Sequence, residues 1–330
     1  MNDVEKILSN ISFRLCDEMS SYLYIRYIRE VELLISRNYS SGIFRCPVHL
    51  SVGQEAIAVG ISKFLDRQDK VLSTHRAHAH YLAKDGNLSD MLLEIMGSVK
   101  GCCGGRGGSM HLIDKHAGFF GAIPIVGSSL PIASGLGLAE KRYKSGKIVV
   151  VFTGDASLET GAFYETLNLI ALMEIPLLVV IEDNGYSTFS NKEPRSHLER
   201  NTKLLVEGFG VKYFSGNGDT IQEVTSIAKK SIDYVRTTKP AVLELSTFRL
   251  LEHCGPNSDD KLGYRSREEI DSYKYRDPLL QALTLLNLTH SSDDIKAVDF
   301  QVSNWINQVF DHCVEIVAKE LDSFRNKSWL

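Results

Sequence analysis

Residues 154–186 read GDASLETGAFYETLNLIALMEIPLLVVIEDNGY. Just before them, Val149 to Phe152 are β-branched and apolar, the pattern of a buried strand. The apolar run Leu177 to Ile181 repeats that pattern. Asp155 therefore stands at the carboxyl end of one strand and Asn184 at the end of the next. The amphipathic stretch between them, carrying Glu159, Glu165 and Asn168, predicts a helix of about a dozen residues and so a parallel crossover. In parallel α/β sheets, ligands collect at the carboxyl ends of strands.

The pairing of Asp155 with Asn184 implies a specific chemistry. A carboxylate, an amide oxygen and a backbone carbonyl from the turn at Gly185-Tyr186 are hard oxygen ligands. Mg²⁺ takes few protein ligands and completes its octahedron with phosphate oxygens and water. A helix directly after Asp155 would aim its unpaired N–H groups at the same place, which suits a diphosphate. Taken singly, the residues read more plainly as a β-turn aspartate and a helix-capping asparagine. Their occurrence at matched strand ends favours the metal–diphosphate reading.

This stretch resembles the thiamine-diphosphate motif, which opens Gly-Asp-Gly and closes on Asn. Within that class the chain resembles the alpha subunit of the decarboxylating component of 2-oxo-acid dehydrogenase complexes, the pyruvate and acetoin dehydrogenase type, from about residue 20 to 280. The resemblance implies that Asp155 and Asn184 bind Mg²⁺ by side chain and Tyr186 by its carbonyl. It places Gly154, Ala156 and Ser157 beside the diphosphate. Two positions depart from the motif: Ala156 replaces its second Gly, and Asp183 replaces the first of two Asn residues. Alanine is tolerated where φ is negative.

Further segments carry the same resemblance. Thr74-His75-Arg76-Ala77-His78-Ala79-His80 follows a predicted short strand at Val71-Leu72. Its three histidines invite a metal reading, although zinc needs a fourth ligand and supporting contacts. Surface or capping histidines are the simpler reading. The segment resembles the family's Tyr-Arg-Ala-His, which implies that Arg76 forks onto the diphosphate and that His75 stands in the tyrosine's place. Pro124-Ile125-Val126-Gly127 resembles Gly-Ile-Val-Gly, whose backbone meets the aminopyrimidine. There the Pro124 carbonyl accepts and the Val126 N–H donates. GCCGGRGGSMH (101–111) resembles a glycine-rich cofactor loop. A lone Arg among glycines in a chain of net charge −4 is not an RNA-binding signature. His49 corresponds to a position in the family's active-site funnel, although a lone histidine among apolar residues is usually a satisfied core group. Phe248 to Gly255 resembles the loop in which His253 contacts diphosphate and substrate and Arg249 steadies the backbone. The alternative there is an Arg/Glu/His surface network. Cys254 stands where mitochondrial relatives carry a phosphorylated Ser, so phosphorylation at that position is not expected.

Strand and helix patterns alternate through the rest of the chain. Helices are expected at about 11–37, 53–65, 87–96, 128–141, 161–173 and 221–235, and a C-terminal helix at about 298–325. The last carries a stripe of Val302, Ile306, Val309, Phe310, Cys313, Val317, Leu321 and Phe324. Further strands are expected at 211–214 and 241–245, and loops at 101–127, 187–203 and 248–265. The fold class is therefore α/β, a mostly parallel sheet with helices on both faces. Residues 1–330 are expected to form one thiamine-diphosphate-binding domain, the diphosphate-side half of a site.

The 330 residues show no excess of basic charge, no CxxC pair among six cysteines and no apolar run of membrane length. MNDVEKILSN has no secretory pattern. These features predict reduced thiols and a cytoplasmic protein that engages neither nucleic acid nor membrane. In the resembled family, the glutamate that activates the cofactor lies on a separate beta subunit. The site is therefore expected to be completed across an interface, in an α2β2 assembly, with Phe163, Leu167 and Leu172 as interface residues or core. The implied reaction is decarboxylation of a small 2-oxo acid with transfer of the two-carbon unit to an acceptor, such as the lipoyl group of an acyltransferase. Two other functions are kept open. One is a carboligase subunit acting on a ketosugar, because Glu252-His253-Cys254-Gly255-Pro256-Asn257 resembles a surface-sugar branch of the family. The other is a scaffold that has lost the cofactor.

Overall fold

The computed structural model describes residues 2–11, 15–237 and 239–326. Six parallel strands form one sheet in the order β2-β1-β3-β4-β8-β7: β1 (Lys70–Ser73), β2 (Phe119–Ala122), β3 (Val149–Gly154), β4 (Leu177–Asp183), β7 (Lys212–Asn217) and β8 (Ala241–Ser246). A separate antiparallel hairpin joins β5 (Tyr186–Ser187) to β6 (Ser190–Asn191).

The central strands are buried on both faces, which is why they read as unbroken apolar runs. Val150, Phe152, Leu178, Val180, Leu243 and Leu245 pack into one core. Val149, Val151, Leu177, Val179, Ile181 and Val242 pack into the other. The first core is covered by α1 (Asp3–Leu8), α2 (Asp17–Asn38), α3 (Glu55–Ser62), α4 (His78–Ala83), α5 (Leu88–Ile95), α9 (Ile221–Arg236), α11 (Pro278–Leu286) and α12 (Ser292–Asn326). The second is covered by α6 (Ser129–Tyr143), α7 (Gly161–Leu172) and α8 (Thr202–Gly208). α10 (Arg267–Lys274) follows the 248–265 loop. Among the described residues no helix is long and apolar enough to cross a membrane, and the six cysteines are free.

The strand order places the site. After β1 the chain moves to one side, to β2; after β3 it moves to the other, to β4. The carboxyl ends of the neighbouring β1 and β3 thus border a topological switch point, where a crevice opens in such sheets.

Several expectations need correction. The first long helix begins at Asp17, not near residue 11. Cys16 is its N-cap, accepting from the Met19 N–H, so Leu15 lies before it; residues 12–14 are outside the described residues. The last helix begins at Ser292, earlier than 298, because the Ser291 hydroxyl caps the Asp294 N–H at 3.1 Å and two acids fill the first turn. Along its stripe Leu321 is exposed, and the Phe324 side chain is outside the described residues. The 101–127 loop contains the edge strand β2, hidden from periodicity by its four-residue length and by Gly121 within it. The 187–203 segment holds the β5–β6 hairpin and is followed by α8, whose cap Asn201 accepts from the Leu204 N–H. No α-helix follows Asp155 directly. A 3₁₀ turn, Asp155–Glu159, intervenes, and the Thr160 hydroxyl donates to the Ser157 carbonyl at 2.8 Å before α7 starts at Gly161. Phe163 and Leu167 are fully buried core on α7, leaving Leu172 as the exposed member of that trio.

Candidate active site

Three loops meet over the carboxyl ends of β1 and β3. Gly53, at φ +98°, lets the 48–54 segment approach the 248–255 segment so closely that a Cβ there would stand 2.7 Å from the Phe248 carbonyl oxygen. The Leu250 N–H donates to the Val52 carbonyl at 2.9 Å and the Gly255 N–H to Val48 at 2.8 Å. His49 and His253 are thereby set side by side, with ring centroids 5.2 Å apart. His75, just past β1, completes a triad, 4.8 Å from the His49 ring and 5.3 Å from that of His253.

Arg76 binds the loops together. It is buried, its Nη1 donates to the Leu50 carbonyl, and its Nη2 donates to the His253 carbonyl at 3.0 Å. Among the described residues its hydrogen bonds run to carbonyls and to the His253 ring, not to a carboxylate. Burial and then the neighbouring Arg249 push its pKa down to about 9. A buried guanidinium without an acid partner suits an anion. Arg249 is fully buried behind the triad, paired with Asp259 at 3.1 Å and Tyr264 at 2.6 Å; it holds the loop rather than lining the cleft.

The histidines are neutral. Burial, then His75 and Arg76, push the His49 pKa down to about 2. Burial followed by Arg76 pushes His75 to about 3 and His253 to about 4. The His49 Nδ1 is buried with no hydrogen-bond partner among the described residues, as is the Gln54 Oε1 nearby.

The same cleft collects the strand-end oxygens. Gly154 pairs with Glu182 across β3 and β4, so Asp155 and Asp183–Asn184 emerge together. Asp155 is buried. Burial raises its pKa, Arg195 opposes that rise and Asp183 adds to it. Its Oδ2 accepts from Arg195 Nη2 at 2.7 Å, and Asp183 accepts from Lys192. The Asn184 Oδ1 accepts from the Tyr186 N–H at 3.0 Å, which fixes the turn carrying the Tyr186 carbonyl. These are hard oxygen donors with positive charge already drawn to them, so the donor set fits a divalent cation.

The cleft, about 240 Å³, is lined by His49, His75, Arg76, Pro124, Val126, Gly154, Asp155, Ala156, Ser157, Asn184, Tyr186 and His253, among others. Of the residues singled out from sequence, Ile125 and Arg249 do not line it, and Ile125 is 71% exposed beside it. Sequence reasoning missed Gln54, Thr74, Glu182, Ser187 and Thr188 in the lining, whereas Met110 comes from the 101–111 loop singled out above. Gln54, Thr74 and Glu182 adjoin residues or runs that were identified; Ser187 and Thr188 follow Tyr186 in the turn after β4. Arg195 and Lys192 gave no signal at all.

The surface or capping reading of His78 and His80 is overturned. Both are buried on α4. His78 bridges Glu32 at 2.9 Å and Ser109 at 2.8 Å; His80 bridges Ser73 at 2.8 Å and Glu182 at 3.2 Å and stacks on Phe152. They brace the wall of the cleft.

The sequence pattern of the family described as "Dehydrogenase E1 component" matches residues 24–315. The chain is 32% identical over 296 residues, 89% of its length and 90% of the relative's, to a pyruvate dehydrogenase E1 component subunit alpha of Rickettsia bellii. A protein of the same name from Zymomonas mobilis is 34% identical over 261 residues, 78% of this chain and 73% of the relative. The testis-specific mitochondrial form of Rattus norvegicus is 30% identical over 296 residues, 88% of this chain and 74% of the relative.

Proposed function

The chain belongs to the dehydrogenase E1 component family, and from that premise we propose that it is the alpha subunit of a thiamine-diphosphate-dependent pyruvate dehydrogenase. The observation that carries this reading is the presence in one cleft of a buried guanidinium lacking an acid partner (Arg76) and a strand-end oxygen cluster (Asp155, Asn184, Tyr186). A diphosphate neutralises the first and a magnesium ion the second.

Bound thiamine diphosphate supplies the carbanion-stabilising chemistry for removing CO₂ from a 2-oxo acid. The chain's own residues bind and orient. Arg76 donates its guanidinium fork to diphosphate oxygens. The Asp155 carboxylate, the Asn184 side-chain oxygen and the Tyr186 carbonyl hold Mg²⁺. Gly154, Ala156 and Ser157 bring backbone to the phosphates, and Pro124 and Val126 offer theirs toward the pyrimidine, with Ile125 between them at the rim. His49, His75 and His253, neutral at physiological pH, each carry one donor and one acceptor nitrogen; the His253 Nδ1 faces Arg76 and Arg249, which leaves its Nε2 for the substrate. Residues 1–330 act as one domain, a reading supported by an apolar core that includes both Val4 and Val317.

The cleft falls below the ~300 Å³ usual at the lower end for small-molecule pockets, and Ile125 and Val126 at its rim are exposed. Both features support completion by a beta subunit; the proposed acceptor of the two-carbon unit is the lipoyl group of an acyltransferase. The test is calorimetric. With the beta subunit present, Mg²⁺ and thiamine diphosphate at 100 times Kd should stabilise the assembly by about 2.7 kcal/mol. Asp155→Ala should abolish that gain while leaving the far-UV spectrum unchanged. An assembly that takes up no cofactor would be the non-catalytic scaffold instead.

A further inference from the structure

Two cations from one short segment reach the acidic end of the cleft. Arg195 Nη2 lies 2.7 Å from Asp155 Oδ2, and its Nη1 holds Glu159. Lys192, three residues earlier, bonds Asp183 and lies 3.7 Å from Glu244. The Asp155–Arg195 pair is almost dry, with side-chain exposures of 3% and 13%. The guanidinium is also aimed: Arg195 Nε donates to the carbonyls of Ser190 at 3.3 Å and Asn191 at 3.1 Å, both on β6. This is not an ordinary surface ion pair, because separating its members strands charge in a low-dielectric site.

We propose that Arg195 competes with a divalent cation for Asp155 and so makes uptake of the cation depend on the diphosphate. The inference rests on Asp155 being a metal ligand, as proposed above. A cation arriving alone must displace the guanidinium and leave it with Glu159 as its only carboxylate partner. A cation arriving with a diphosphate brings anionic oxygens that take the guanidinium in exchange. Cation and diphosphate therefore bind with positive coupling, and the coupling is reciprocal. Lys192 plays the same part, more weakly, at Asp183, because its side chain is 37% exposed.

The test uses Mn²⁺, whose unbound form is read by electron paramagnetic resonance, on the chain assembled with its beta subunit. Mn²⁺ is titrated alone and then with thiamine diphosphate. Arg195→Gln should bind Mn²⁺ alone on the order of tenfold more tightly than wild type, and the further gain from thiamine diphosphate should shrink by the same factor. Unchanged or weaker binding of Mn²⁺ alone overturns the proposal. If thiamine diphosphate binding is lost as well, Arg195 is a diphosphate ligand and the function stands. If wild type takes up no Mn²⁺ even with thiamine diphosphate, the functional reading falls, and this proposal falls with it. Should Arg195→Gln not fold, Lys192→Gln reports on the same competition. It should tighten binding of Mn²⁺ alone by a smaller factor, and no change there counts against the proposal.

Discussion

Of the three cleft histidines, His49 is the one whose charged form is most disfavoured. Its imidazole is held down to about 2, whereas an unperturbed histidine titrates near 6.5. Between those values the unfolded chain binds a proton that the folded chain refuses. Stability is therefore fully present above the unfolded value and falls as the pH drops through it. His75 and His253, lowered to about 3 and about 4, act in the same direction. His49→Gln should flatten the fall in melting temperature between about pH 7 and pH 5; parallel slopes in the two proteins would remove His49 as its origin. Asp155, Asn184 and Arg76 were legible in the sequence because each directly follows a strand or sits in a recognisable run. Arg195 was not, because its carboxylate partner Asp155 lies forty residues away in sequence and only folding joins them. His78 and His80 were misjudged for a similar reason. Their acid partners, Glu32 and Glu182, come from α2 and β4.

At the scale of elements, the glycine-rich segment 101–108 is held by one side chain. Glu94, on α5 and fully buried, accepts from the N–H groups of Cys103 at 2.7 Å, Gly105 at 2.8 Å, Gly107 at 2.7 Å and Gly108 at 3.0 Å. Carboxylate acceptors for backbone donors are strong, and donors left unsatisfied are costly. Glu94→Ala should destabilise the fold by on the order of 3 kcal/mol, read from the denaturant midpoint, and should open the segment to trypsin at the exposed Arg106. A variant as stable and as resistant as wild type would show that the loop is held by other contacts. Periodicity identified the central strands and most helices, because β3, β4 and α9 are long and clearly patterned. It missed β2, α1, α4 and α8, which have four to seven residues and depend on tertiary packing for stability.

For the whole molecule, the proposed function makes activity depend on a beta subunit. The cleft opens at Ile125 and Val126, which are 71% and 47% exposed. The chain alone should therefore show little 2-oxo-acid turnover, and adding its beta subunit should restore it. Rapid turnover by the isolated chain would show that one subunit suffices. From the sequence alone came the parallel α/β class, the crossover from Asp155 to Asn184 and the family resemblance, because strand and crossover patterns and short motifs are local and depend on the spacing of neighbouring residues. Tertiary structure alone decided the strand order that puts the switch point between β1 and β3, the meeting of His49, His75 and His253, and the seating of Arg195 on Asp155. Those contacts join residues up to 204 positions apart, and no local spacing specifies which distant loop folds over a strand end.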